Sequence, residues 1–173
     1  QWQQLVGAVW NNVSTNQSYT TDVLTVPGTY TYRVIVTQNS SGCEVVSSNT
    51  TVTVVEDPAV SVSASALTIC DGGTTVFTAT VTGGTGTPVY QWQTWNGTVW
   101  NNVGTNQNTY TTPVLTLGTY TYRVVVTQAS GCEAVSSDQV VSVIADPTVS
   151  VVVADPTICS GGSTLLTATV SGG

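Results

Sequence analysis

The feature that most constrains this chain is that it repeats itself. QWQQLVGAVWNNVSTNQ at 1–17 returns as QWQTWNGTVWNNVGTNQ at 91–107, and GTYTYRVIVTQNSSGCEVVSS at 28–48 returns as GTYTYRVVVTQASGCEAVSS at 118–137. DPAVSVSASALTICDGGTTVFTATV at 57–81 returns as DPTVSVVVADPTICSGGSTLLTATV at 146–170. The offsets are 89 to 91 residues, and the slips fall in turns: Asn108 is extra in one copy, Pro27 and Ser41 in the other. A period of this size is one immunoglobulin-sized β-sandwich, with length changes confined to loops. Asp57-Pro58 and Asp146-Pro147 mark the edges of the one complete copy. An Asp-Pro step disfavours helix and suits a short, stiff linker.

The expected organisation follows. Residues 1–56 are the later strands of a first repeat, 57–145 a complete repeat, and 146–173 the first two strands of a following one. Within the complete repeat, alternation predicts a strand on Val60, Val62 and Ala64 and a second with Phe77, Ala79 and Val81 inward. A third begins at Tyr90-Gln91-Trp92-Gln93 and runs into Asn96-Gly97, the strongest hairpin signal in the chain. Residues 99–103 return from that hairpin. Residues 109–117 form another strand, with Pro113 suggesting an edge or bulge. Tyr120, Tyr122, Val124 and Val126 share one face of a long strand, and 132–144 supply the last. The predicted fold class is all-β, immunoglobulin-like sandwich repeats without helix. Trp92 takes the place of the tryptophan that fold buries, and Tyr120 and Tyr122 that of its tyrosine corner.

Composition narrows the function. Charged residues are 6 %, against about 25 % in an ordinary soluble protein. Hydrophobic residues are 40 %, which argues against disorder, and no apolar run is long enough to insert in a membrane. Net charge is −7, with no Lys, no His and only Arg33 and Arg123 as cations, so neither nucleic acid nor an anionic membrane surface is an expected partner. Ser and Thr abound without His or Lys to activate them, and no phosphate-cradling loop or paired-carboxylate site assembles. No enzymatic activity and no cofactor are expected.

Four cysteines without a CxxC pair read as disulfide formers rather than metal ligands. Cys70 and Cys132 are expected to bridge within the complete repeat, stapling one end of the sandwich. Cys43 and Cys159 then await partners in an adjacent repeat or subunit. Glu56, Asp57 and Asp146 sit at junctions where calcium stiffens some repeat arrays, and Asp71 is a further carboxylate near a Gly-Gly turn. Ser160 replaces the Asp71 position in the next copy, so solvated linker acids are the better reading and no metal site is expected. The contact aromatics are Trp95, which stands where the other copy has Leu5, and Trp10 and Trp100 of the two VWNNV segments. Trp95 suits a sugar or a partner surface, or covers the end of its own sandwich. Trp10 and Trp100 suit packing or contacts between repeats. Arg33 and Arg123 point away from the Tyr/Val face and cover their own sheets. Five N-x-S/T sequons follow from an Asn- and Thr-rich composition.

The series TIC-x-GG-x-T-x-x-x-TATV, QWQ, Y-T-T-x-V-L-T, TYTYRVxVT and SGC resembles the immunoglobulin-like repeats of very large secreted surface proteins of Bacteroidota, over essentially the whole chain. The resemblance implies export by the type IX secretion system, a place at the bacterial cell surface, and adhesion, gliding or appendage roles without catalytic residues. The expected function is a structural repeat of an extracellular filament, stalk or surface appendage. Its expected partners are further copies of itself, head to tail and laterally. The alternative is an adhesin module that grips carbohydrate or another cell through loop aromatics. Each incomplete repeat is finished either by continuous polypeptide or by strands donated from a neighbouring subunit.

Overall fold

The computed structural model describes residues 1–173, the side chain of Ser130 apart, and the chain divides into two compact units, 1–56 and 57–173. The first unit is a single antiparallel sheet of β1 (Trp2–Val6), β2 (Val9–Ser14), β3 (Gly28–Thr37), β4 (Glu44–Val46) and β5 (Thr50–Val54), with β1, β4 and β5 all pairing to β3. Trp2, Tyr19 and Tyr32 line one face, with ring centroids 6.4 and 6.1 Å apart in succession. Tyr32 is buried, and that burial pushes its phenol pKa up, with nearby Tyr19 adding to the effect.

The second unit opens with β6 (Ala59–Ala64), β7 (Thr68–Cys70), β8 (Val76–Thr82), β9 (Val89–Trp95), β10 (Trp100–Val103), β11 (Thr109–Thr111), β12 (Gly118–Thr127), β13 (Glu133–Val135) and β14 (Gln139–Ile144). One sheet runs β10-β9-β12-β14-β7, with β13 beside β12; the other runs β11-β8-β6. Their facing sides close an immunoglobulin-like sandwich. Phe77 and Ala79 come from one sheet, and Trp92, Tyr122, Val124, Val126, Val141 and Val143 from the other, with Leu115 sealing one end. The inward set obeys the period-two alternation of a strand with one buried face. Phe77 stacks on Trp92 at 5.9 Å, and Trp92 on Tyr110 at 5.8 Å. Trp92 Nε1 donates to the Gln107 carbonyl at 3.0 Å, so the buried indole keeps its one polar atom satisfied. Tyr120 Oη donates to the Thr116 carbonyl and Tyr30 Oη to the Val26 carbonyl, each four residues upstream: a tyrosine corner in both copies.

The remaining strands, β15 (Thr148–Val153) and β16 (Leu166–Ser171), form an exposed hairpin. Thr148 faces Ser171 and Val153 faces Leu166 in it, as Ala59 faces Thr82 and Ala64 faces Phe77 in β6 and β8.

Three strand expectations change. The 109–117 strand stops at Thr111, because Thr112 turns inward and its hydroxyl accepts the Thr75 amide while Pro113 supplies no donor. The 132–144 strand is broken at Ser136, whose Oγ accepts the Val124 amide, and Cys132 itself lies before β13. β7 joins the large sheet in parallel with β14, and a 3-10 turn at Ala129–Gly131 is a short helical element where none was expected.

The register also corrects the Cys70–Cys132 bridge. Cys70 pairs with Ile144, next to Val143, which faces Gly118 at the start of β12. Cys132 precedes Glu133, which faces Thr127 at the end of β12. Nine strand steps separate Gly118 from Thr127, or about 30 Å at the usual rise. A disulfide holds its Cα atoms within about 7 Å. The two cysteines therefore occupy opposite poles of one sandwich, and none of the four cysteines is paired with another within the chain.

Candidate functional site

Strand alternation sends the residues between the core positions to the outer face of the large sheet. There the register lays them in two cross-strand rows. One runs Asn102, Gln93, Arg123, and the next Trp100, Trp95, Thr121, Val140. Within the first row Arg123 Nε donates to Gln93 Oε1 at 2.8 Å, and Gln93 Nε2 donates to Asn102 Oδ1 at 2.9 Å. The guanidinium lies 4.1 Å above the Trp100 ring, so Arg123 covers its sheet through an aromatic stack. The first unit repeats this set. Arg33 Nε donates to Gln3 Oε1 and Gln3 Nε2 to Asn12 Oδ1, both at 2.8 Å, with Arg33 4.0 Å above Trp10. Trp10 and Trp100 thus pack under an arginine on their own sheets.

The second row is where the copies differ. Trp95 and Trp100 tilt together at 5.3 Å and, with Thr121, Asp138 and Val140, line an open cleft of about 360 Å³. Trp95 is 39 % exposed. It borders the Asn96-Gly97 turn, where Asn96 Oδ1 accepts the Thr98 and Val99 amides and Gly97 holds a φ of 97°. That local network fixes the hairpin and hence the tryptophan shelf. In the first unit the matching positions are Leu5, Trp10, Thr31, Asn49 and Thr51. The second tryptophan and the carboxylate belong to the second unit and not to the first. Sequence reading found Trp95 and Trp100 but missed Thr121, Asp138 and Val140. The available signal was that Thr121 and Val140 are the outward neighbours of inward Tyr122 and Val141. An apolar shelf with a carboxylate and a hydroxyl at its end can stack on a planar or sugar face and accept its hydroxyl protons.

Asp71 Oδ1 accepts the Leu117 amide at 3.0 Å, while Glu56, Asp57 and Asp146 are exposed. Among the described residues, no three His, Cys, Asp or Glu side chains converge on one point. No helix is long and apolar enough to cross a membrane.

Among solved structures, the chain is similar to the fibronectin(III)-like modules of Clostridium thermocellum CbhA, at 16 % identity and TM-score 0.43, covering 82 % of this chain and 75 % of that one. It is also similar to the ectodomain of mouse nectin-like molecule 4, at 21 % identity and TM-score 0.38, covering 83 % of this chain and 54 % of that one. For the N-terminal four Ig domains of Dscam1 the figures are 18 % and 0.37, over 82 % of this chain and 36 % of that one. The chain thus spans about half the length of the nectin-like ectodomain and about a third of the Dscam1 fragment. No curated protein matches it. A family model described as a domain of unknown function, DUF8696, matches residues 59–146, and the chain belongs to that family.

Proposed function

We propose that this chain is a structural repeat of an extracellular filament, stalk or surface appendage, and that it works mechanically rather than chemically. The observation that carries the reading is where the polypeptide enters and leaves the sandwich. Pro58 is buried beside Gly84 and Gln128, at the pole where β12 ends. Ile144 leaves beside Cys70, at the pole where β12 begins. A chain that enters one pole and exits the other suits head-to-tail repetition, with Asp57-Pro58 and Asp146-Pro147 as the joints. In this reading 57–145 is a whole repeat, 1–56 the later strands of the preceding one and 146–173 the opening strands of the next. The recurrence of the Arg–Gln–Asn row, the tyrosine corner and the strand register in separate copies supports it.

The protein's partners are then further copies of itself. The bacterial surface, Bacteroidota and type IX export belong to this proposal through the sequence resemblance alone. Electron micrographs of the native assembly test it. The expected image is a filament with an axial period of one or two sandwich lengths, each about 30–40 Å from a ten-residue strand plus its turns. A dispersed compact particle overturns the reading.

A second reading rests on the Trp95–Trp100 cleft, whose second tryptophan and carboxylate are replaced by Leu5 and Asn49 in the first unit. It makes the complete repeat a carbohydrate- or cell-binding module. Glycan-array binding by the chain, abolished by Trp95→Leu, is the outcome that favours it; no binding by the unsubstituted chain removes it.

A further inference from the structure

We propose that consecutive repeats are clasped by a disulfide from the exit-pole cysteine of one repeat to the entry-pole cysteine of the next. The proposal rests on the in-line reading above and goes beyond it. It replaces the bridge within a repeat, and it gives Cys70 and Cys132, as well as Cys43 and Cys159, partners across a junction.

Three observations carry it. The first is polarity. Cys132 lies at the pole where the chain enters, near Pro58, and Cys70 at the pole where it leaves, beside Ile144. The partial copies keep the same order. Cys43 precedes Glu44, which faces Thr37 at the far end of β3, while the chain leaves that sheet at Val54, opposite Gly28. Cys159 lies in the turn beyond the Val153–Leu166 pair, away from the Thr148–Ser171 end where the chain arrives.

The second observation is that both positions are fixed by hydrogen-bonded turns that recur. At the exit pole the Gly73 amide donates to the Cys70 carbonyl at 3.0 Å, and the Gly162 amide to the Cys159 carbonyl at 2.9 Å. The Asp71 amide ties the first of these turns to the Ile144 carbonyl, the last residue before the linker. A Cβ on Gly73 would stand 2.9 Å from the Cys70 carbonyl oxygen, so the turn requires its glycine. At the entry pole the Gln128 amide donates to the Cys132 carbonyl, and the Gln38 amide to the Cys43 carbonyl, both at 2.9 Å. Gln128 also packs against Gly84 beside the linker proline.

The third is reach and pairing. Only Ala145, Asp146 and Pro147 separate Ile144 from Thr148, the first strand residue of the next repeat, a span of at most about 14 Å when extended. Cys70 is exposed and Cys132 half-buried at their poles. The mate of Cys70 is the entry-pole cysteine of the repeat that 146–173 opens, and the mate of Cys132 is the exit-pole cysteine of the repeat that 1–56 closes. Residues 1–173 contain no exit-pole cysteine together with the entry-pole cysteine of the next repeat.

Closing the clasp joins two sulfurs and releases two protons and two electrons. A disulfide-class oxidant takes them up; with oxidised glutathione, one glutathione disulfide leaves as two glutathione thiols. Each junction then has two covalent connections, the linker and the clasp.

The test uses the chain 1–173 extended by a second copy of residues 85–145, which completes the third repeat. After dilute incubation with oxidised glutathione, proteolysis and mass spectrometry without reductant are expected to show one disulfide between TIC- and SGC-type peptides. Three thiols per chain stay titratable. Cys70→Ser is expected to abolish the linked peptide, and Cys132→Ser in the complete repeat to leave it intact. Both variants are checked for unchanged amide-exchange protection of β12. A linked peptide that needs Cys132, or five titratable thiols and none linked, overturns the clasp. Either result leaves the in-line reading standing, since that is judged by the micrographs.

Discussion

Trp2 and Trp92 are the same residue in two copies of one motif, yet only Trp92 has a second sheet over it. Trp92 is completely buried between Phe77 and Tyr110, whereas Trp2 is half-exposed. Trp92→Ala removes a whole indole from a packed interior, which typically costs about 3–5 kcal/mol. Its Nε1 bond to the Gln107 carbonyl adds little, because Gln107 is exposed and water replaces the donor. Such a loss is a large share of the roughly 5–10 kcal/mol expected for a domain of this size. At about 4–8 °C per kcal/mol it lowers the melting temperature of the 57–145 sandwich by roughly 12–40 °C. Trp2→Ala strips a residue already in partial contact with water, and about 1–2 kcal/mol is expected. Amide exchange across β12 and β3 of the intact chain, followed against denaturant, reads the two units separately. If Trp2→Ala destabilises β3 as much as Trp92→Ala destabilises β12, burial by the β11-β8-β6 sheet is not what distinguishes the copies. The layer argument then fails.

Burial pushes the Tyr122 phenol up to about 12, with nearby Tyr110 adding to the shift. The folded state thus holds that proton more tightly than the unfolded state, whose phenol titrates near 10. This contribution to stability is complete below about pH 10 and disappears as pH rises from 10 through 12. A phenolate absorbance titration should show a group titrating near 12 that is lost in Tyr122→Phe. Thr75 is 1 % exposed, donates its hydroxyl to the Ala66 carbonyl at 2.7 Å and its amide to the Thr112 hydroxyl, so Thr75→Val should cost about 1–3 kcal/mol in a urea melt. A cost under a few tenths would show that the Ala66 carbonyl finds another donor. Arg123→Ala removes the cover on Trp100 and the bond to Gln93, and about 1 kcal/mol is expected, little of it screened by salt. A loss that vanishes in high salt would assign Arg123 to long-range charge rather than to stacking.

Most of the strand plan is legible in the chain because alternation has a period of two and leaves Phe77, Trp92 and Val124 on one side of their strands. What escapes is decided by single polar atoms and distant pairing. Thr112 ends a strand that its composition would continue, because its hydroxyl is needed by the Thr75 amide. β7 is three residues long, and its partner β14 lies about seventy positions away, so no local period announces it. The outer cleft is half legible: the tryptophans stand out as letters, but Asp138 joins them only through the turn between β13 and β14.

The cysteines are the instructive case, because the deciding signal was present in the strand order. Each antiparallel step reverses the chain, so poles follow parity. From Cys70 to Cys132 the polypeptide crosses the sandwich along β8, β9, β10, β11 and β12. An odd number of crossings ends at the opposite pole, whereas a bridge within the repeat requires an even number. The same count, carried through one more crossing along β14, brings the chain back to the pole of Cys70 at Ile144. Both facts depend only on the order of the strands and not on any side-chain contact. In any sandwich of this topology, cysteines placed before the second long strand and in the β12–β13 hairpin are barred from each other.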